Sequence, residues 1–295
     1  MKKVLITGKG SYIGNKIDNW LMESSEAFEV DQLCLMDGSW KTHDFKCYDV
    51  VLHVAGIAHM KERKENKELY YKVNRDLAYD VALKAKSSGI SHFIFLSSMS
   101  VYGMDRGVIS QATVPKPNSY YGDSKLQAEE RINGLIDPSF NVAIIRPPMV
   151  YGEGCRGNYT KLSKIALKLP LFPKVGNARS MVHIDNLCKF VKAVILQNGK
   201  GRFFPQNPEY VNTTELVKAI AACHSNKLWA VKGFDKLLGS ISHPTLNKVF
   251  GTLIYSDDLL KNNDNIQMDY LTFEETIART EGRKRVRSSL KKAAQ

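Results

Sequence analysis

Five short apolar runs punctuate the first half of the chain: KKVLIT, QLCLMD, DVVLHVAG, HFIFLSS and NVAIIRP. Runs of this length, bounded by polar stretches, predict strands buried on both faces. Helices are expected between them, from Asn15 to Met22, from Glu65 to Ser87 with Gly89 as its stop, and from Tyr121 to Leu135. Pro147 and Pro148 close the series. Strands alternating with helices in this order predict a parallel sheet covered on both sides, an α/β doubly wound fold. At 295 residues the chain can be one large domain or two small ones.

After Gly152 the texture changes. NYTKLSKIALKLP predicts a helix, LFPKVGNARS a loop, DNLCKFVKAVIL a second helix, and TTELVKAIAA a third with Thr213 or Thr214 as its N-cap. The expected organisation is a sheet domain over residues 1–152, a smaller mixed lobe over 153–280 that can interleave with it, and a basic tail over 281–295. The tail RKRVRSSLKK carries Arg283, Lys284, Arg285, Arg287, Lys291 and Lys292, about half of the net charge of +12. It reads either as a solvated end or as a peripheral contact with an anionic membrane surface. No aromatic-interleaved basic patch or helix-turn-helix pattern points to nucleic acid.

The five cysteines (Cys34, Cys47, Cys155, Cys188, Cys223) are odd in number and scattered, which predicts reduced thiols in a cytoplasmic protein rather than a disulfide framework or a metal site. No apolar run reaches membrane-spanning length, and MKKVLITGKG enters strand-like sequence too soon for a signal peptide.

VLITGKGSYIG joins the first expected strand to the first expected helix. Gly8, Gly10 and Gly14 would let the backbone approach a pyrophosphate at a helix N-terminus. Asp37, at the end of LCLMD, could accept hydrogen bonds from ribose hydroxyls; alternatively it forms the turn DGS. In YYGDSK, Tyr121 and Lys125 stand one helical turn apart on one face, so the ammonium is expected to lower the phenol's pKa. FLSSMSVYG places Ser97 and Ser98 at the C-terminal end of a strand, where open α/β sheets bind ligands. A Ser98 hydroxyl there could orient an oxygen that exchanges a proton with Tyr121.

With these motifs in this order, the chain resembles the extended short-chain dehydrogenases of the NAD-dependent epimerase/dehydratase family, with the Rossmann fold this implies. TGKGSYIG resembles the family's TGxxGxxG loop, with Ser11 at the middle glycine; Tyr12 and Ile13 complete it. DVVLHVAG resembles DxVxHxAA, whose backbone at Val54, Ala55 and Gly56 would lie along the cofactor. Asp44 and Phe45 resemble the acid–apolar pair beside adenine, and Asn74 matches the asparagine of the long helix. RPPMVYG, with Pro147 on the cofactor side, resembles the segment after the sixth strand. The catalytic set implied is Ser98, Tyr121 and Lys125, the last also holding the nicotinamide ribose.

VGNARSMVHIDNL resembles the family's xGxxxRxxxHVxDL signature, in which Arg179 would pair with a nucleotide diphosphate. GNYTKL and LPLFPKVGN resemble the subgroup acting on UDP-sugars of surface polysaccharides, which adds Asn158 and Phe172 to the substrate side. Met149 stands where sugar epimerases often carry asparagine. The resemblance implies redox chemistry at C4 of a UDP-hexose with NAD (NADP left open), in a homodimer built on the Glu65–Ser87 and Tyr121–Leu135 helices. A 4-epimerase and a 4-ketoreductase share this machinery. A 4,6-dehydratase would carry Asp-Glu after the catalytic serine, where Met99 and Ser100 stand. A non-catalytic cofactor-binding scaffold is the reading from another class.

Overall fold

The computed structural model describes residues 1–23, 27–58, 60–233, 244–263, 266 and 268–282. Among them the strands run β1 (Lys2–Thr7), β2 (Phe28–Leu33), β3 (Val50–His53), β4 (His92–Leu96), β5 (Gly107–Ile109), β6 (Asn141–Ile145), β7 (Met149–Tyr151), β8 (Leu171–Pro173), β9 (Met181–His183), β10 (Gly201–Phe203), β11 (Trp229–Val231) and β12 (Leu253–Tyr255). The principal helices are α1 (Tyr12–Met22), α2 (Lys67–Tyr71), α3 (Leu77–Ser87), α4 (Tyr120–Asn133), α5 (Asn158–Lys168), α6 (Ile184–Leu196) and α7 (Thr213–Cys223).

Six strands form one sheet in the order β10-β6-β4-β3-β1-β2, every neighbouring pair parallel. The period-two alternation of side chains divides its core in two. Val4, Ile6, Val50, Leu52, Ile94 and Ile145 face α1 and α6, whereas Leu5, Val51, Phe93, Phe95, Val142 and Ile144 face α3 and α4. The expected doubly wound architecture is therefore present. The chain leaves β1 outward to β2 and returns on the other side to β3. This reversal opens a crevice above the C-terminal ends of β1 and β3, where such sheets bind ligands.

Three local readings change. The second strand is Phe28–Leu33, not QLCLMD, because β1 pairs in register from Lys2↔Phe28 to Thr7↔Leu33. The amides of Gly8 and Lys9 then both turn to the Leu33 carbonyl and end the ladder. The expected helix from Glu65 to Ser87 is four pieces: a 3-10 turn (Lys64–Asn66), α2, a π turn (Lys72–Asp76) and α3. The cap of α7 is Asn212, whose side-chain oxygen accepts from the amides of Thr214 and Glu215 at 2.9 and 3.2 Å. Thr213 and Thr214 are buried, and their hydroxyls donate to the carbonyls of Val249 and Pro173.

The smaller lobe is laced by two-stranded parallel pairs of three residues each, β7·β9, β8·β11 and β5·β12, with β5 and β7 supplied from before Gly152. β8 lies inside the stretch expected to be a loop. Residues 184–203 return to the first half: α6 packs on the sheet and β10 becomes its edge. All five cysteines are free. Among the described residues no helix is long and apolar enough to cross a membrane, and no cluster of three metal-ligating side chains forms. The basic tail from Arg283 onward lies outside the described residues.

Candidate active site

The crevice floor is made of backbone. The Thr7 carbonyl accepts the amides of both Val54 and Ala55 at 3.1 Å, which draws the turn after β3 against the glycine loop. Gly8 has φ +110°, and a Cβ there would lie 2.8 Å from the Ala55 nitrogen. Gly10 also has a positive φ but faces open space. Ser11 caps α1, its Oγ accepting the Gly14 amide at 3.1 Å, so its hydroxyl is committed to the helix start. The amides of Tyr12 and Ile13 remain at the open end of α1, where a helix favours an anion. A glycine cradle over a helix N-terminus, at the reversal of a parallel sheet, fits a dinucleotide pyrophosphate. Tyr12 turns its ring away toward Gly152, its hydroxyl buried without a partner among the described residues.

The catalytic candidates converge on the next strand ends. Ser98 follows β4 and caps a 3-10 turn, its Oγ accepting the Ser100 amide and donating to the Ser100 hydroxyl, both at 3.1 Å. Burial pushes the Tyr121 phenol's pKa up, and the neighbouring Ser98 hydroxyl pulls it back. Lys125 departs from expectation. Its Nζ donates to the Leu96 carbonyl at 2.9 Å and lies 4.5 Å from the Phe95 ring centroid, not on the phenol. Ser98, rather than Lys125, is thus the group that favours the phenolate. Burial brings Lys125 down to about 7, against the attraction of Glu129. Gly56 completes the cluster: a Cβ there would lie 3.2 Å from Lys125 Nζ and 3.0 Å from Asn74 Oδ1. Asn74 in turn clamps the Ile57 backbone, accepting its amide at 2.8 Å and donating to its carbonyl at 3.1 Å.

Behind Lys125 lies a buried ion pair. Arg146 Nε reaches Glu129 at 3.0 Å, Nη1 reaches the Tyr102 hydroxyl at 2.8 Å, and Ser97 Oγ also bonds Glu129. One turn after Lys125 on α4, Glu129 thereby ties the catalytic helix to β4 and β6. The backbone of Pro147 continues this junction, its carbonyl accepting the Met99 amide at 2.9 Å.

The remaining residues expected on the cofactor side lie between β2 and β3. Asp37 lies four residues beyond β2, exposed, with its carboxylate bound by the amide and hydroxyl of Ser39; it forms the DGS turn. Those hydrogen bonds lower its pKa. Phe45 is fully buried among Trp40, Tyr48 and Leu5, and Asp44 bonds the Lys46 amide. On the substrate side, Arg179 donates to the carbonyls of Gly251 and Asn247, and among the described residues it makes no ion pair. Burial lowers its pKa, while Asp105 opposes that. Phe172 is buried against Phe250, Met149 pairs with Met181 across β7·β9, and Asn158 opens α5.

One positioning group escaped the sequence. The Glu62 carboxylate spans the start of α4, taking the amides of Tyr120 at 3.0 Å and Tyr121 at 2.9 Å. It anchors the backbone of the candidate acid–base residue from a loop 59 positions earlier. In MKERKEN it is one of several charges, and nothing local distinguishes it.

The sequence profile of the NAD dependent epimerase/dehydratase family matches residues 4–204. A UDP-glucose 4-epimerase of Vibrio cholerae is 30% identical over 285 residues, covering 85% of this chain and 86% of that one. An undecaprenol-linked N-acetylglucosaminyl-diphosphate 4-epimerase of Escherichia coli O157:H7 is 31% identical over 150 residues, 49% of this chain and 45% of its own length. Among solved structures, a UDP-glucuronic acid 4-epimerase from Bacillus cereus with NAD superposes with a TM-score of 0.74 at 19% identity, over 95% of this chain and 96% of that one. A dTDP-4-dehydrorhamnose reductase from Clostridium acetobutylicum superposes at 0.72 and 18% identity, over 94% and 98%. One fold thus carries both inversion and reduction.

Proposed function

The chain belongs to the NAD dependent epimerase/dehydratase family, and from that premise we propose that it inverts C4 of a UDP-hexose with a retained NAD. The observation that carries this reading is the gathering of Ser98, Tyr121 and Lys125 at the strand ends, with the Ser98 hydroxyl drawing the phenol's pKa down and Lys125 set beside Gly56. The Vibrio cholerae relative, similar over most of both chains, supports epimerisation. Met99 and Ser100 after Ser98 leave no carboxylic pair for dehydration.

NAD supplies the hydride acceptor and donor at C4; the glycine cradle and the α1 N-terminus would hold its pyrophosphate, and Lys125 and Gly56 its nicotinamide end. Tyr121 takes the proton of the 4-hydroxyl and returns it to the same oxygen once the keto sugar has turned its other face toward the cofactor. Ser98 orients the oxygen and favours the phenolate. Arg179, held by carbonyls rather than by a carboxylate, keeps its charge for the diphosphate. Asn158 and Met149 border the sugar, and Phe172 the base.

The purified protein is expected to carry nicotinamide absorbance and to interconvert UDP-glucose and UDP-galactose, or their N-acetylamino counterparts, without net NADH consumption. Tyr121→Phe lowers kcat by about a thousandfold with little change in UDP-sugar binding. NADH consumption confined to a UDP-4-keto sugar would replace inversion by reduction, and full turnover by the Phe variant would remove Tyr121 from the reaction.

A further inference from the structure

The lobe carries a surface whose chemistry the C4 reaction does not use. Leu167 at the end of α5, Leu169, Leu171 on β8 and Trp229 on β11 are 42%, 51%, 55% and 59% exposed. They are adjacent: Trp229 pairs in register with Leu171, and the Asn226 side chain bonds the Leu167 carbonyl. β8 alternates, Phe172 buried inward and Leu171 outward, so the exposure follows from strand geometry.

Cations surround these side chains. Lys161, Lys164 and Lys168 recur at i, i+3 and i+7 along one face of α5, with Leu167 at its margin. Lys174, Lys227 and Lys232 lie on the segments flanking the β8·β11 pair. All six are exposed, and among the described residues none makes an ion pair. Residues 154–184 contain no Asp or Glu, and neither do residues 216–233.

We propose that this leucine–tryptophan surface, ringed by Lys161, Lys164, Lys168, Lys174 and Lys227, docks the enzyme on an anionic lipid bilayer. Tryptophan and leucine enter the headgroup–acyl boundary, while lysines stay in water beside lipid phosphates. Charge complementarity selects the occupant, because exposed lysines around apolar side chains match anionic headgroups over apolar chains, and the nearby Glu281 carboxylate is buried against Ser163 and His224. Nucleic acid would meet the lysines but leave the leucines unsatisfied. The surface uses the outward side chains of α5 and β8 and none of the residues assigned to the C4 reaction, so failure of either reading leaves the other standing.

The test is flotation of the full-length protein with vesicles of phosphatidylcholine alone and of phosphatidylcholine with phosphatidylglycerol, at low and high salt. Binding is expected only to the anionic vesicles and to weaken with salt. The tryptophan emission shifts to the blue on binding, and the shift is lost in Trp229→Ser; Trp40 is buried and Trp20 half-buried in the free protein. Leu169→Ser with Trp229→Ser, and separately Lys161→Gln with Lys164→Gln and Lys168→Gln, each lower partition by about tenfold or more. Both variants keep the wild-type circular dichroism and sugar turnover in solution. Neutralising the six basic tail residues in the intact chain leaves the Trp229 shift in place. No binding to anionic vesicles overturns the proposal, as does binding lost with the tail charges but untouched by the patch variants. Concentration-dependent self-association abolished by Trp229→Ser, with no vesicle binding, assigns the surface to a second copy instead.

Discussion

The crevice over β1 and β3 and the lobe beyond Gly152 hold their shapes by opposite means. The crevice is backbone against backbone: Gly8 to Leu33 at 3.0 Å, Ser11 to Gly8 at 3.1 Å, Val54 and Ala55 to Thr7. In the lobe, three-residue strands are stitched by side chains. Asn177 holds both the amide and hydroxyl of Thr213, Asn212 donates to the carbonyls of Val175 and Asn177, and Thr214 bridges Pro173 and Val175. The first region is specified by what must be absent, a Cβ at Gly8. The second is specified by particular polar atoms. A family can therefore vary its substrate lobe residue by residue while its cofactor cradle stays nearly fixed.

Breaking the cradle should give the largest effect. Gly8→Val combines a positive φ with a Cβ at 2.8 Å from the Ala55 nitrogen. It should cost about 3 kcal/mol of stability and abolish NAD retention, read by thermal melting and nicotinamide absorbance. A variant that keeps its cofactor would show the cradle to be pliable. Asn177→Ala should cost about 2 kcal/mol, because the Thr213 amide and hydroxyl lose their buried partner. Its NAD affinity should not change; if that falls as well, the two regions are energetically one.

Lys125→Met sharpens the comparison at the boundary. Lys125 is buried and titrates at about 7 instead of 10.5. Between those values the unfolded chain binds a proton that the folded one lacks, so folding gains stability as pH rises from 7 to 10.5. The methionine variant should thus be more stable than the parent by about 1–2 kcal/mol at pH 7, with the advantage shrinking toward pH 10. A constant difference across that range would mean that the lysine binds its proton equally in the folded and unfolded chains, with no lowered pKa. Ser11→Gly should be the mildest change, a few tenths of a kcal/mol in melting, since glycine is itself an adequate N-cap. A large gain in NAD affinity from it would show that the serine crowds the phosphates.

The sheet and the cradle were legible because they rest on periodicity and on glycine, both local properties. Tyr121 and Lys125 were legible as a pair but not as a geometry: spacing puts both on one helix face, and only packing sends Lys125 to Leu96. Asp37 reads as a strand end in the sequence, but β2 is chosen by pairing with β1 and stops at Leu33, so Asp37 falls in the turn that follows. Glu62 and Asn212 act through contacts set by the tertiary path, 59 residues away in the first case and by competition with two buried threonines in the second. β8 and β11 are too short for any pattern to announce them.

The π turn over Lys72–Asp76 carries a consequence for length rather than identity. Its wider loop of backbone joins α2 to α3, and Asn74 sits at its centre, fully buried, with Ile57 and Ser124 as partners. Removing one residue from this turn would restore ordinary helical winding with little change of phase, and would take away the bulge that carries Asn74 to Ile57. The helix can therefore drift in composition along its exposed side, but it cannot change its residue count without unfastening Ile57 from the crevice.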